Sequence, residues 1–493
     1  MSYKSEITIP MFEQIKRLGT DTAIYGVSTI VARLLNFALV PLYANILTPA
    51  EMGIIATVYS YIAFITIFYS FGMESSYFRY ASAKEIGTEK DNFSTPYLSV
   101  ILVSGLFSLA LFLFAYPLTG IFQIAASSYK IIYYTSGILF FDAIVLIPFA
   151  SLRLQRKAKF FAATKIISIV ITVILNIVTL LFLRWGIEGV FLSNLVASFV
   201  TCLILLPSVY RQFRFSFHTL LFKELLKFGL PIVPVGISGV VLQIADRPIL
   251  RLLMDDASVG IYQANYRMGI FMALINGMFE YAWRPFFLMH AKDPDAKLLF
   301  SRVMTYYVAL TSAVLLVLTL FLPDIIQHKY FGKYILPPPY WAGLNVVPFV
   351  MLGLLFSGIA TNLNAGIQIQ KKTMYLLPTS LSGSVTNVVL NFLLVPVFGI
   401  MGAAYATTIG YAMVAVSLYF VVQRFYYIRY EFDRLTKLLL VTAAAFAFLV
   451  FFTPALLGKA GIFIGWIVSL ILLGFFTPGE ISTLKNFLHR KIT

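Results

Sequence analysis

Charge is what this chain lacks most. Of its 493 residues only 12% are Asp, Glu, Lys or Arg, against 60% hydrophobic. A soluble globular chain carries roughly 25% charged residues. Length alone would suggest several soluble domains, but this composition belongs to a single polytopic membrane protein. Cysteine is nearly absent: the lone Cys202 excludes an internal disulfide framework and any multi-cysteine metal site. Four histidines without H-x-x-x-H spacing argue against zinc. There is no G-x-S-x-G, no P-loop and no H-E-x-x-H, and the loops are too short to hide a nucleotide site. Neither an enzyme nor an ATP-driven pump is expected, and no cofactor beyond a coupling ion, Na+ or H+. Acids are scarce as well, with 21 Asp and Glu against 37 Lys and Arg. In a membrane protein basic cytoplasmic loops explain such an excess, so no nucleic-acid partner is expected. Residues 1–18 mix polar and apolar types with no cleavage-site pattern, which predicts that the first span is retained rather than removed as a signal peptide.

What the chain does have is long apolar stretches. A spanning helix needs about 20 largely apolar residues. Fourteen stretches qualify, at 20–47, 52–80, 95–116, 129–151, 162–183, 187–208, 225–253, 259–288, 300–322, 341–368, 373–396, 400–423, 436–455 and 460–479. The expected fold is therefore an all-α polytopic membrane protein. Most connections are short, such as Thr48-Pro49-Ala50-Glu51. The segment 323–340, with Pro337-Pro338-Pro339, reads as a longer loop because proline cannot continue a helix. Basic residues set the orientation. With the N-terminus inside, the cytoplasmic segments hold Lys84, Lys90, Arg153, Arg156, Lys157, Lys371, Lys372 and many others. The opposite side holds only Lys130, Arg184, Lys329, Lys333 and Lys459. Both termini are thus expected in the cytoplasm.

The chain also repeats itself. Leu154-Gln155-Arg156-Lys157 followed by Leu175-Asn176 returns as Ile369-Gln370-Lys371-Lys372 followed by Leu390-Asn391, at one offset. Gly186-Ile187-Glu188-Gly189 returns as Gly399-Ile400-Met401-Gly402. Pro41, Gly53 and Tyr59 match Pro248, Gly260 and Tyr266, again at one offset. Spans 1–6 therefore resemble spans 7–12. Six is even, so the copies are parallel and related by an axis along the membrane normal. The expected organisation is a cytoplasmic segment 1–19, a first lobe 20–208, a cytoplasmic linker 209–224 and a second lobe 225–424. Two appended spans at 436–479 and a cytoplasmic tail 480–493 complete it. Two such lobes imply a cleft near the midplane and alternating access by rocking.

An ionisable group within a span is expensive and marks a functional-site candidate. Six arginines fall inside spans: Arg33, Arg79, Arg247, Arg251, Arg267 and Arg284. At 1.5 Å per residue, Arg33 lies roughly 20 Å along its span and Arg267 on the order of 13 Å into its own. Arg33, Arg247 and Arg267 are deep and are the anion-binding candidates. Arg79, Arg251 and Arg284 are near span ends and can snorkel to headgroups. Spacing adds polar partners. Gln243, Arg247 and Arg251 follow at i, i+4, i+8, Gln263 and Arg267 at i, i+4, and Asn276, Glu280 and Arg284 at i, i+4, i+8. Asn36 lies one turn from Arg33. Lipid cannot satisfy such rows, so they should face protein or a wet cavity. The acids near them are Glu74, Asp142, Asp246 and Glu280, which either neutralise arginines or couple transport to an ion. Glu74 is placed to pair with Arg79. Asp246 and Arg247 are sequence neighbours, whose side chains should diverge by about 100°. Guanidinium holds carboxylate and phosphate bidentately, so an anion is the simplest cargo. Tyr59, Tyr61, Tyr69, Tyr77 and Tyr80 crowd the second span and read as ordinary interfacial aromatics.

Four segments carry a family resemblance: RLLNFALVPLYANILTPAEMGIIATVYSYI (33–62), LQRKAKF (154–160), IADRPILRLLMDDASVGIYQANYRMG (244–269) and LNFLLVPVFGIMGAAYAT (390–407). The chain resembles polysaccharide flippases of the Wzx type, within the multidrug/oligosaccharidyl-lipid/polysaccharide (MOP) exporter superfamily. That resemblance implies two six-helix lobes in a V plus two extra helices. It implies flipping of an undecaprenyl-pyrophosphate-linked oligosaccharide, such as an O-antigen, capsule or exopolysaccharide repeat unit, across a bacterial cytoplasmic (inner) membrane. It also implies membrane lipids and the polysaccharide polymerase or export machinery as partners, with the cavity arginines holding the pyrophosphate. Two alternatives stay open: a lipid II flippase of the MurJ type and a drug/cation antiporter of the MATE type. The latter usually places acids in its lobes, whereas the first span here carries Arg33.

Overall fold

The computed structural model describes residues 11–122, 124–452, 455–477 and 480. The remainder of the expected N-terminal segment and C-terminal tail, and the last two residues of the fourteenth stretch, lie outside the described residues. Among the described residues eleven helices are long and apolar enough to cross a membrane. Three further helical stretches occupy the remaining expected positions: Asp256–Tyr266 continuing through Ile270–His290, Phe432–Phe452, and Leu456–Leu472.

Several spans are broken where the sequence suggested one rod. The second is two helices, Pro49–Ser70 and Met73–Ala83, parted by Phe71 and Gly72 with φ of 30° and 77°. The seventh is three pieces, Thr219–Gly229, Val233–Ile244 and Asp246–Leu253. Pro231, Pro234 and Pro248 each remove a backbone donor from it. A 3₁₀ turn, Arg267–Gly269, interrupts the eighth. The expected loop 323–340 is partly ordered: the ninth span runs on from Ala296 to Gln327, a two-residue-stranded hairpin follows, and Pro338–Gly343 is 3₁₀.

The repeat recurs in backbone geometry. Arg156 and Lys371 both adopt a left-handed conformation, with φ of 55° and 54°, as do Gly186 and Gly399 at 55° and 56°. Around the first pair the same three hydrogen bonds close both turns: Gln155 to Ser151 and Gln370 to Gly366, Arg156 to Arg153 and Lys371 to Gln368, Lys157 to Leu152 and Lys372 to Ile367. Equivalent caps start the second and eighth spans. Thr48 and Glu51 form a capping box, and Asp255 accepts from the Ser258 backbone at 2.6 Å. Two of the cores follow the same division, while Val40, Ala44 and Met52 pack with Ala264, Met268 and Met272 across the halves. One apolar cluster joins residues between Leu39 and Leu225, a second joins residues between Trp283 and Tyr430. Another attaches Trp466 and Leu470 to Leu316 and Leu320 of the ninth span.

At the lysine-poor end the two halves cross on glycine. A Cβ on Gly53 would stand 1.8 Å from the Asp256 carbonyl oxygen, and one on Gly260 would stand 1.8 Å from the Pro49 carbonyl oxygen. Gly53 and Gly260 are repeat equivalents, and so are Pro49 and Asp256. The reciprocal contact puts this crossing on the two-fold pseudo-axis. The same end is tied by Arg251 to the Phe122 carbonyl at 3.0 Å, Asn45 to the Tyr334 carbonyl at 2.9 Å and the Tyr340 hydroxyl to the Leu47 carbonyl at 3.2 Å.

Candidate functional site

A cavity of about 700 Å³ lies between the halves. The first half contributes Arg33, Asn36, Tyr43 and Tyr59, together with Thr172 and Asn194; the second contributes Gln243, Arg247, Gln263, Tyr266, Arg267, Asn276, Glu280, Ser357 and Tyr411. Eight of the sequence-derived candidates therefore share one space: Arg33, Asn36, Gln243, Arg247, Gln263, Arg267, Asn276 and Glu280.

The three deep arginines differ in how far they are already used. Arg247 is engaged on all sides. Its guanidinium meets Asp246 at 2.6 Å, donates to Gln263 Oε1 at 3.0 Å and to the Gln243 carbonyl, and lies 4.1 Å from the Tyr266 ring centroid. The expected divergence of Asp246 and Arg247 does not occur. Ala245 keeps helical dihedrals, and the helical ladder lapses where Pro248 has no N–H to donate; there the Asp246 carboxylate folds back to accept the Arg247 backbone N–H at 3.0 Å. The Tyr262 and Thr407 hydroxyls also donate to this carboxylate. Asp246 and Arg247 thus form a buried neutral pair. Removing either partner would strand the other, the situation that costs most in a low-dielectric interior.

Arg33 and Arg267 are different. Arg33 makes one protein hydrogen bond among the described residues, Nη1 to the Ala273 carbonyl at 3.0 Å, and the space it occupies exists because residue 277 is glycine: a Cβ there would stand 3.2 Å from Nη1. Among the described residues no hydrogen bond or ion pair engages the Arg267 guanidinium. It sits in the 3₁₀ turn, on the cavity wall with Tyr43 and Tyr59. Tyr43 is held by its own hydrogen bond to Asn176 at 2.9 Å, and Tyr59 by stacking on Phe191 at 5.2 Å. Asn276 is fixed from both ends, donating to the Leu354 carbonyl and accepting from Tyr307, each at 2.6 Å. Among the described residues the cavity wall therefore presents two guanidiniums with donors to spare against one carboxylate, Glu280.

The other candidates lie elsewhere. Glu74 pairs with Arg153, not with Arg79; the break at Phe71–Gly72 turns the Met73–Ala83 helix so that Glu74 faces the end of the fourth span. Arg79 reaches Glu85 at 3.3 Å on the surface. Arg251 does not snorkel. It is buried against Asp256 at 2.6 Å and bonded to the Phe122 carbonyl, so it ties the halves together. Arg284 is exposed. Asp142 accepts a hydrogen bond from Ser198 at 2.7 Å within the first half and is not part of the cavity lining.

Sequence reading missed the cavity tyrosines Tyr43 and Tyr411 and treated Tyr59 as an interfacial ring. The signal was present in the repeat, where Tyr59 matches Tyr266 and both line the cavity. It also passed over Lys165, a charge inside the fifth span whose Nζ lies 4.3 Å from the Phe149 ring centroid.

The family model for polysaccharide biosynthesis proteins matches residues 18–290, more than half of the chain. The chain belongs to the polysaccharide biosynthesis protein family. No curated protein sequence matches it. Among solved structures this family member is similar to the lipid II flippase MurJ in an inward closed conformation, at 19% identity and TM-score 0.72, covering 96% of this chain and 100% of that one. It is also similar to an inward-facing multidrug resistance MATE transporter of the MOP superfamily, at 14% identity and TM-score 0.64, covering 80% and 94%. The bent form of the Vibrio cholerae MATE transporter VcmN follows at 16% identity and TM-score 0.56, covering 83% and 96%. The polysaccharide biosynthesis protein therefore has the transporter fold of the MOP superfamily.

Proposed function

We propose that the chain flips a polyprenyl-pyrophosphate-linked oligosaccharide, an O-antigen, capsule or exopolysaccharide repeat unit, across the bacterial cytoplasmic membrane by alternating access. One observation carries the reading: Arg33 and Arg267, one from each half, face the same cavity with donors to spare, and among the described residues Glu280 is the one acid lining it. A diphosphate supplies the acceptors these guanidiniums lack. A cation would instead be expected to meet a surplus of carboxylates, and Asp246 is neutralised by Arg247. Tyrosine hydroxyls and the amides of Asn36, Gln243 and Asn276 offer the remaining wall to sugar hydroxyls. The polyprenyl chain needs only apolar surroundings. The bilayer offers these, and so does an apolar cavity of about 1050 Å³ bounded by Leu315, Leu318, Val347, Leu439 and Phe446. The lysine and arginine distribution supports cytoplasmic termini, and membrane lipids and a polymerase would be neighbours.

Deletion in the native host, with mass spectrometry of glycans and lipid-linked intermediates, tests the reading. Loss of surface polysaccharide with intermediates retained on the cytoplasmic face is the expected result. Unchanged glycans with altered drug tolerance would replace it by the antiporter reading. The likeness to MurJ over nearly the whole chain favours lipid II as the second reading. Rescue of a lipid II flippase depletion by this chain, with surface glycans unaffected by its deletion, would establish that reading instead.

A further inference from the structure

The short hairpin after the ninth span is built against local conformational preference. Lys329–Tyr330 and Lys333–Tyr334 pair antiparallel around Phe331 and Gly332, whose φ values are 53° and 82°. Both central residues are left-handed, as a two-residue hairpin turn of the mirror-image class requires, and the preferred occupants are Asn-Gly or Gly-Gly. A bulky residue at positive φ is a conformational outlier, and such an outlier points to a role outside folding. Phe331 is also fully exposed. The fold gains no packing from it.

Its surroundings indicate what it meets. His328, Lys329, Tyr330 and Lys333 are exposed around it. Lys329 lies 5.3 Å from the Tyr334 ring centroid. No Asp or Glu occurs anywhere from 325 to 430, and the acid nearest in sequence, Asp324, is taken by Lys459 at 2.6 Å. The hairpin sits at the end of a 32-residue helix, which at 1.5 Å per residue is about 48 Å long, against a hydrocarbon core of about 30 Å. A helix of that length outruns the hydrocarbon core, so its ends reach the headgroup zone or the water beyond it. An aromatic wedge flanked by lysines and tyrosines at such an end has the composition of a membrane-interface anchor.

We infer that the hairpin is a docking element for anionic phospholipid headgroups of the leaflet at the lysine-poor end, with Phe331 entering the interface and Lys329 and Lys333 meeting lipid phosphates. The contact reaches the crossing between the halves, because Asn45 of the first span donates to the Tyr334 carbonyl.

The test uses the full-length protein in nanodiscs of zwitterionic lipid with and without phosphatidylglycerol, the lipids being brominated near the carbonyl. Phe331→Trp adds one fluorophore, read as the difference from the parent protein. The expected result is quenching by brominated lipid and protection from aqueous acrylamide that increase with phosphatidylglycerol. Replacing Lys329 and Lys333 by Gln lowers partitioning of the tip by roughly thirtyfold, about fivefold per lysine. Phe331→Asn suits the turn better, so it should keep or raise thermal stability while a reporter beside it, Lys329→Trp, loses its lipid contact. An indole at position 331 freely quenched by acrylamide at every lipid composition would overturn the inference. So would protection seen in native membranes but not in pure lipid, which would assign the tip to a protein partner.

Discussion

Replacing Gly53 by alanine should unlock the lysine-poor end. The added Cβ would stand 1.8 Å from the Asp256 carbonyl oxygen, whereas even a close C–H···O contact between neighbouring elements is about 3.3–3.6 Å. The second and eighth spans must therefore separate by roughly 1.5 Å or more to restore such a contact. Over-packing of this kind costs about 1–3 kcal/mol. That cost falls only on states in which the crossing is closed, so it shifts the equilibrium toward states open at this end by about fivefold to 150-fold. The two-fold relation sharpens the expectation. Gly260→Ala meets the Pro49 carbonyl with the same 1.8 Å gap, so its effect should match that of Gly53→Ala. The double variant should shift the equilibrium by less than the product, because one alanine already parts the helices. The assay is thiol labelling with Cys202 replaced by serine and a cysteine placed at Ala56, which lines the cavity. A membrane-impermeant reagent applied at the lysine-poor face should label the parent slowly and both glycine variants quickly. Equal labelling of parent and variants, in proteins of unchanged melting temperature, would refute the reasoning, and so would a large effect at one glycine with none at the other.

Other substitutions probe the cavity and the contacts that surround it. Arg267→Ala should weaken binding of a polyprenyl pyrophosphate to purified protein by roughly tenfold to 100-fold, the worth of hydrogen bonds to a charged group; Arg267→Lys should restore only part because it cannot bind bidentately. Asp246→Asn should lower the melting temperature sharply, by about 3–5 kcal/mol in stability, because Arg247 becomes a buried unpaired charge. Adding Arg247→Gln should recover part of that loss in the same thermal assay. Gly277→Val should displace Arg33 from the Ala273 carbonyl and reduce pyrophosphate binding while leaving the melting temperature within a few degrees. Arg251→Gln should accelerate labelling of the Ala56 cysteine from the lysine-poor face, since it loses both Asp256 and the Phe122 carbonyl.

Much of the fold was legible because membrane burial constrains sequence so strongly. Apolar length located the spans, and the repeated blocks marked turns whose backbone geometry recurs, at Arg156 and Lys371 and at Gly186 and Gly399. The sequence could not show where spans break. Phe71–Gly72 is a left-handed pair that no periodicity reveals, and it redirected Glu74 from Arg79 to Arg153. The Asp246–Arg247 contact was the larger surprise, since side-chain spacing around a helix does not reveal a carboxylate that folds back on the next residue's backbone N–H. Helical spacing did gather the cavity's polar rows, since rows that lipid cannot satisfy have few other places to face. It could not tell a guanidinium already saturated from one left open. That distinction needs every donor and acceptor in place, and it separates Arg247 from Arg33 and Arg267. Arg251 was misjudged for a related reason: depth along a helix does not disclose that a carbonyl from the other half stands within reach.

The charge tally of the cavity has an electrical consequence. With the Asp246–Arg247 pair neutral, Arg33, Arg267 and Glu280 leave the empty cavity with one net positive charge. A pyrophosphate diester carries two negative charges, so a loaded cavity would carry one net negative charge. A transmembrane voltage acts on each charge with about 2.3 kcal/mol per 100 mV when it crosses the full field. The loaded cavity crossing one way and the empty cavity returning the other way would therefore move charge across the field in the same sense, so one polarity of voltage favours both half-cycles. The current that accompanies one and the same conformational step should have opposite sign with and without lipid-linked diphosphate, an observable that no single-substitution assay supplies.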